Sequence, residues 1–310
     1  MLRPWIRIAF VIPLILCALP PDDKAAPLPV PAWLYPAMGQ RSADDPPEWP
    51  DDNPFVVKDW SPASHPALPD VVAHGRKPKV LACAYCHLPD GSGRPENASV
   101  AGLPAAYMTQ QIHDLISGAR RPADSPMLGT SQTMIQIAQN ATPDELAAAI
   151  AYFSSLPMPA KLRVVEAERI PKPQVWEFLY ALNTSGPTEA LGQRIIEAPE
   201  DRAAHSQHRM SAKYVAYVPV GSIEQGRQLA SGTQPGHPFA CAVCHGPDLR
   251  GGPLAPPIAG RSPSGLLRQL LAIRNGTRAG QGAALMQPVV GGATLDELIA
   301  LSAFVGSQAP

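Results

Sequence analysis

Two stretches of the chain repeat one short pattern: LACAYCHLPDG at 81–91 and ACAVCHGPDL at 240–249. Four of the five cysteines, Cys83, Cys86, Cys241 and Cys244, stand in them, and each pair is followed directly by a histidine, His87 or His245. Two Cys-x-x-Cys pairs in an exported chain could form disulfides, act as redox dithiols, or be the halves of a zinc site. Zinc ribbons bring their halves much closer than the 158 positions that separate Cys83 from Cys241, and neither pair has the βαβ surroundings of a thioredoxin-like dithiol. The adjoining histidine selects a fourth chemistry, because Cys-x-x-Cys-His is the attachment sequence of c-type haem. Two thiols one helical turn apart add across the two vinyl groups on one side of the porphyrin, and the neighbouring imidazole becomes an axial ligand of the iron. The expected cofactors are therefore two covalently bound haem c groups, attached at Cys83 and Cys86 and at Cys241 and Cys244.

Each iron needs a sixth ligand, and an internal repeat supplies a candidate. At an offset of 158, Pro89-Asp90 meets Pro247-Asp248, Ala101-Gly102 meets Ala259-Gly260, Gln111 meets Gln269 and Arg120 meets Arg278. Further on the offset slips to 152, where Thr142 and Asp144-Glu145-Leu146 meet Thr294 and Asp296-Glu297-Leu298. The first copy thus carries about six extra residues, placed within RRPADSPMLGTSQ. Met134 and Met286 each stand ten positions before the matching aspartate, Asp144 or Asp296. Methionine opposite histidine raises the reduction potential of a haem. Met127, in the inserted stretch, is the rival in the first copy, and plain packing is the competing role for Met134. His65, His74, His113, His205, His208 and His237 have no counterparts in the repeat and are weaker ligand candidates.

The elements that must hold these residues read as helices. LPAAYMTQQIHDLISGAR and SPSGLLRQLLAIRNGTR have helical periodicity and end near a glycine suited to a C-cap. TPDELAAAIAYFSSL and TLDELIALSAFVGSQ begin on a threonine cap with acidic residues in the first turn. GSIEQGRQLASG is the expected N-terminal helix of the second copy, and LPDVVAHGRK its expected counterpart in the first. Two regions fall outside the repeat. Residues 27–70 carry frequent prolines with Trp33, Trp49 and Trp60, which suggests an extended arm laid on a domain surface. Residues 158–220 contain KLRVVEAERI, QVWEFLYAL and KYVAYVPV, whose alternation suits short strands. They are expected to pack between the copies.

The start, MLRPWIRIAFVIPLILCALPPDDKAAP, has Arg3 and Arg7 before a short apolar run and reads as a signal peptide over 1–26. An uncleaved membrane anchor and lipidation at Cys17 are the competing readings. With 25 basic against 26 acidic residues, the chain has no basic excess to displace counterions from nucleic acid. Its 38 prolines, about 12% of 310 residues against a usual 5%, commit much of the chain to extended or turning backbone.

With Cys83-Ala-Tyr-Cys86-His87 and Met134 paired to Cys241-Ala-Val-Cys244-His245 and Met286, the chain resembles dihaem class I c-type cytochromes of the cytochrome c4 kind. The resemblance covers about 71–157 and 221–310, with VAGLP and IAGR among the shared segments. It implies a mainly α fold: two tandem cytochrome c domains, at 71–157 and 221–310, joined by a long, partly extended insert at 158–220 and preceded by the Pro/Trp-rich arm at 27–70. It also implies one-electron transfer in the bacterial periplasm. The donor would be a membrane quinol-oxidising complex or a dehydrogenase, the acceptor a terminal oxidase or reductase, with membrane-surface association open. Arg120 and Arg278 could pair haem propionates or solvate helix ends. The competing functions are a peroxidase-like dihaem enzyme with one open iron, and a dedicated cytochrome subunit of a dehydrogenase complex.

Overall fold

The computed structural model describes residues 26–36, 39, 45–46, 49–121 and 128–310. The expected signal segment through residue 25, with Cys17, lies outside them, and so does Met127. The first copy contains α1 (Asp70–Ala73), α2 (Cys83–His87), α3 (Ala105–Ser117), α4 (Leu128–Asn140) and α5 (Pro143–Ser155). Strands β1 (Leu162–Glu166), β2 (Arg169–Pro171), β3 (Pro173–Trp176), β4 (Leu179–Leu182), β5 (Thr188–Ala190) and β6 (Ile196–Pro199) follow, then α6 (Arg202–Ser206) and β7 (Tyr214–Val218). The second copy contains α7 (Ser222–Ala230), α8 (Ala242–His245), α9 (Pro263–Arg274), α10 (Gln281–Val290) and α11 (Leu295–Ser307).

The capped helices form where their termini are satisfied. Thr142 and Thr294 each accept from the backbone N–H three residues on, while Glu145 and Glu297 reach back to the cap N–H. These reciprocal bonds satisfy N–H groups that the helix itself cannot. Gly118 ends α3 in the left-handed conformation that only glycine takes without strain. The apolar faces of α3 and α5 close a core around Val72, Ala84, Met108, Tyr152 and Phe153. In the second copy α11 packs along α7 and α9, and Leu267, Leu271, Leu298 and Ile299 fill the core.

One sequence expectation needs correction. LPDVVAHGRK does not form a helix comparable with α7, because α1 is a single turn, Asp70–Ala73. The arm takes its place: Val57 N–H donates to Ala73 O, Gly75 N–H to Phe55 O, and Ala82 N–H to Pro54 O, each at 2.8–2.9 Å. Gly75 also lies so close to Val80 O that a Cβ there would meet it at 2.3 Å. Chain entering from outside the repeat thus supplies the bonds that α7 makes for itself.

The arm touches both copies. Leu34 is buried in the core of the second copy, and Asn275 exchanges two hydrogen bonds with the Leu28 backbone. The insert forms a sheet in the order β1-β7-β6, with β1 parallel and β6 antiparallel to β7, a β3–β4 hairpin, and an antiparallel β2–β5 pair that flanks that hairpin in sequence. Its buried Glu197 ties the sheet to the start of α9, accepting from the hydroxyls of Ser262 and Ser264 at 2.8 Å. Burial raises the Glu197 pKa.

The tightest helix crossing is at Gly226 of α7, where an added Cβ would lie 2.0 Å from Ala300 O of α11. Gly226→Ala must push the two helices apart. Thermal or denaturant unfolding should show a loss of about 1–3 kcal/mol, the usual scale of core overpacking, whereas Gly282→Ala, with open space around its Cβ position, should cost little.

Candidate haem sites

Cys83 to His87 form one short helix, α2, and Ala242 to His245 form α8 with Cys241 as its N-cap residue. Cysteines three apart on a helical turn present their sulfurs on one face. The four thiols are free rather than joined in disulfides. Burial pushes the Cys83 thiol up to about 12 and raises those of Cys86 and Cys241. These three buried thiols lack the lowered pKa that marks a reactive thiolate.

Each motif histidine is held the same way. His87 Nδ1 hydrogen-bonds Ala98 O at 2.8 Å, and His245 Nδ1 hydrogen-bonds Pro256 O at 2.8 Å, both partners eleven residues on. A carbonyl only accepts, so Nδ1 carries the proton and Nε2 keeps its lone pair. Burial lowers both histidine pKa values, which favours the neutral imidazole that a metal requires. The Phe153 ring meets His87 edge-on at 6.1 Å and fixes its plane further.

The intervening loop repeats bond for bond. Gly93 N–H donates to His87 O at 2.9 Å, and Gly251 N–H to His245 O at 2.8 Å. Gly102 N–H and Gly260 N–H close on Phe153 O and Val305 O, each at 3.1 Å. The residue after the histidine takes positive φ in both copies, Gly246 at 82° and Leu88 at 61°. Leu88 accepts a conformation normally left to glycine, and its fully buried side chain offsets the strain.

Met134 lies on α4 and Met286 on α10, both half-buried, and Met286 packs against the core of the second copy. These helices pack on α3 and α9. The other histidines have partners of their own: His65 with Asp59 and Tyr152, His74 with Asp70, His205 with Tyr214 and His237 with Glu297. The His208 ring packs at a tilt on that of Tyr85, and His113 is exposed beside Asp114.

One of the contacts between the copies is made through equivalent residues. Arg121 N–H donates to Thr277 O at 2.8 Å, and Ala279 N–H to Ala119 O at 2.7 Å, about a bridge between Arg120 and Arg278. Those two arginines bond the amide oxygens of Gln111 and Gln269, and Arg278 also bonds Tyr107. Burial, with the Arg278 charge adding to it, pulls the Arg120 pKa down to about 10. Arg278 Nε is buried without a hydrogen-bond partner. Two partly buried guanidiniums facing each other with amide partners hold positive charge that an anionic group would compensate. The residues present therefore fit a haem: paired thiols, an imidazole with a free Nε2, and buried cations for acidic side groups. Sequence reasoning picked out Arg120 and Arg278 as a repeated pair. It missed their mutual contact, and it missed the two carbonyls that orient the histidines.

No protein-family model matches the chain. Among curated proteins, "Cytochrome c-554(548)" of Halomonas halodenitrificans is 36% identical over 69 residues, which is 22% of this chain and 83% of that protein. "Thiosulfate dehydrogenase electron acceptor" of Stutzerimonas stutzeri is 25% identical over 233 residues, 74% of this chain and 80% of that one. Among solved structures, the thiosulfate dehydrogenase TsdBA of Marichromatium purpuratum aligns at 29% identity and TM-score 0.49, over 74% of this chain and only 37% of that longer chain. Cytochrome c4 of Pseudomonas stutzeri aligns at 20% identity and TM-score 0.47, over 73% of this chain and 93% of that one. The chain belongs to the c-type cytochromes. It is a dihaem member of that class, an electron-transfer protein with two covalently bound haem c groups.

Gly246→Ala tests the local design. At φ 82° its new Cβ would sit 2.4 Å from Gly251 O, inside the loop that carries Pro256. The melting temperature of the holoprotein should fall by the equivalent of about 1–3 kcal/mol, and the low-spin spectrum of one centre, not both, should be perturbed.

Proposed function

We propose that this protein is an exported, periplasmic electron carrier. It takes single electrons from a dehydrogenase or a membrane quinol-oxidising complex and passes them to a terminal oxidase or reductase. The observation that carries this reading is the matched pair of motif histidines, each pinned through Nδ1 to a carbonyl with Nε2 left free. The relative from Stutzerimonas stutzeri, an electron acceptor for thiosulfate dehydrogenase, supports a dehydrogenase as the donor. Among the described residues no single helix is long and apolar enough to cross a membrane.

Cys83 and Cys86 would hold one haem and Cys241 and Cys244 the other. His87 and His245 would each supply a nitrogen ligand to an iron, and Met134 and Met286 a sulfur ligand. The haem supplies a one-electron ferric/ferrous couple. The chain contributes two fixed ligands per metal, an apolar surround of Phe153, Tyr152, Leu249 and Val305, and exclusion of water. Tyr152 is itself fixed, its hydroxyl donating to Pro89 O at 2.7 Å. If a histidine and a methionine both held each iron, neither centre would offer a substrate a place on the metal. Arg120 and Arg278 would neutralise propionates at the junction of the copies, stabilising the less positive, reduced state.

The reading is tested by a pyridine haemochrome assay and a ferric spectrum. Two haems per chain and a weak far-red methionine–iron band at two-haem intensity are expected. Met134→Ala and Met286→Ala should each remove about half of that band and lower one reduction potential, since thioether ligation favours the ferrous state. A high-spin haem in the unmodified protein would move a peroxidase-like enzyme ahead.

The charge at the junction predicts a sign. Arg278→Gln removes a cation near the redox centres, so a spectroelectrochemical titration should show at least one potential shifted down, with both spectra otherwise unchanged.

A further inference from the structure

One side chain joins the two loops that orient the motif histidines. Arg261 of the second copy stands just before α9 and reaches both. Its Nε donates to Pro257 O at 2.8 Å, its Nη1 to Ser99 O at 2.9 Å and its Nη2 to Ala101 O at 3.2 Å. Pro257 directly follows Pro256, whose carbonyl holds His245, and Ser99 directly follows Ala98, whose carbonyl holds His87. Ser99 and Pro257 are themselves equivalent at the offset of 158. The guanidinium thus grips the same carbonyl in each copy, one residue beyond the histidine's acceptor.

The backbone closes each loop on its own copy. Val100 and Ala101 N–H donate to Gly91 O, as Ile258 and Ala259 N–H do to Leu249 O, all at 2.8–3.0 Å. Those bonds lie beyond the acceptors. A peptide is planar, so only the φ and ψ of Ser99 separate the peptide that Arg261 holds from the one that accepts from His87. In the second copy Pro257 stands between the equivalent peptides, and its ring already fixes φ. The position equivalent to Arg261 in the first copy is Leu103, which has no polar side-chain group to return the contact. Burial pulls the Arg261 pKa down to about 10, so the side chain remains a cation at neutral pH. Hydrogen bonds from a cation are stronger than neutral ones, and the planar fork of arginine reaches separate acceptors at fixed angles.

We propose that Arg261 is a positioning residue shared by the two redox centres: one guanidinium holds both acceptor loops, so the alignment of His87 and His245 is set together. The proposal rests on the electron-carrier reading above, in which both histidines bind iron. The carbonyl acceptor fixes the ring plane and the basicity of a metal-bound imidazole, and a ligand is well held only when the group that orients it is itself fixed. Two loops gripped by one rigid fork do not drift independently. The first copy has more to lose, since two of the three bonds go to it.

The test is solvent exchange of the histidine ring protons, followed by NMR in the fully reduced, diamagnetic holoprotein. Each ligand histidine gives an Nδ1–H signal displaced by the haem ring current, and two such signals are expected. Arg261→Met keeps an apolar stem and removes all three donors. It should speed exchange about tenfold at His87 and about threefold at His245, with the backbone amides of α5 and α11 unchanged. Arg261→Lys keeps the charge but gives up the fork, and should speed both exchanges by a smaller factor. Weaker carbonyl bonds also make both imidazoles poorer donors, so both reduction potentials should rise in Arg261→Lys, opposite in sign to the loss of a cation. Unchanged exchange at either histidine, full restoration in Arg261→Lys, or a rise shared equally by the helix amides would overturn the proposal. If the unmodified protein lacks the displaced histidine signals, the ligand assignment and the carrier reading fall first, and the proposal with them.

Discussion

The hydrogen bond from Nδ1 of each motif histidine to a carbonyl eleven residues later is the constraint around which each copy is built. It sets the tautomer, aims Nε2 and closes the loop between α2 and α3, or between α8 and α9. The loop's other bonds serve the same closure. The N–H groups of Gly93 and Gly251 return to the histidine carbonyls, and those of Gly102 and Gly260 tie the loop's far end to the last helix. One short ligand motif is thereby coupled to a helix more than fifty residues away. The capping boxes on α5 and α11 fix where those helices begin, and so where Phe153 and Val305 fall.

Duplication makes one contact between the copies nearly symmetric. Equivalent backbone bonds, Arg121 to Thr277 and Ala279 to Ala119, are the two halves of a self-complementary contact. Such a contact brings like charges together, and Arg120 faces Arg278 for that reason. The glutamines dilute the repulsion without cancelling it. The same junction admits close backbone approach at Gly280, where a Cβ would meet Asp114 at 2.0 Å. Side chains from each copy therefore complete the surroundings of the other.

Chain outside the repeat breaks this symmetry. The arm reaches both copies, burying Leu34 in one and pairing Pro54 to Val57 with the other. The insert is no tether: its sheet shares Val164 and Val218 with the core of the second copy. It also sets His205, fully enclosed by Trp176 and Tyr214, against a buried pair of the first copy, in which Arg94 meets Glu96 at 3.0 Å. Desolvation holds the His205 pKa down at about 4, so it stays neutral there.

The attachment motif and the helix starts are legible in the residues because they are local. Thiols three apart, an adjoining imidazole and threonine caps followed by glutamates are all spacings within one or two turns of chain, and spacing is what a sequence records. The length of α1 was misread because its hydrogen bonds go to the arm, more than ten residues away, and periodicity does not see such partners. Which carbonyl orients each histidine, that Arg120 meets Arg278, and that Arg261 joins the two acceptor loops were decided by tertiary structure alone. In each case the deciding group arrives from a distant part of the chain, and burial belongs to the packed assembly rather than to any residue's own neighbourhood.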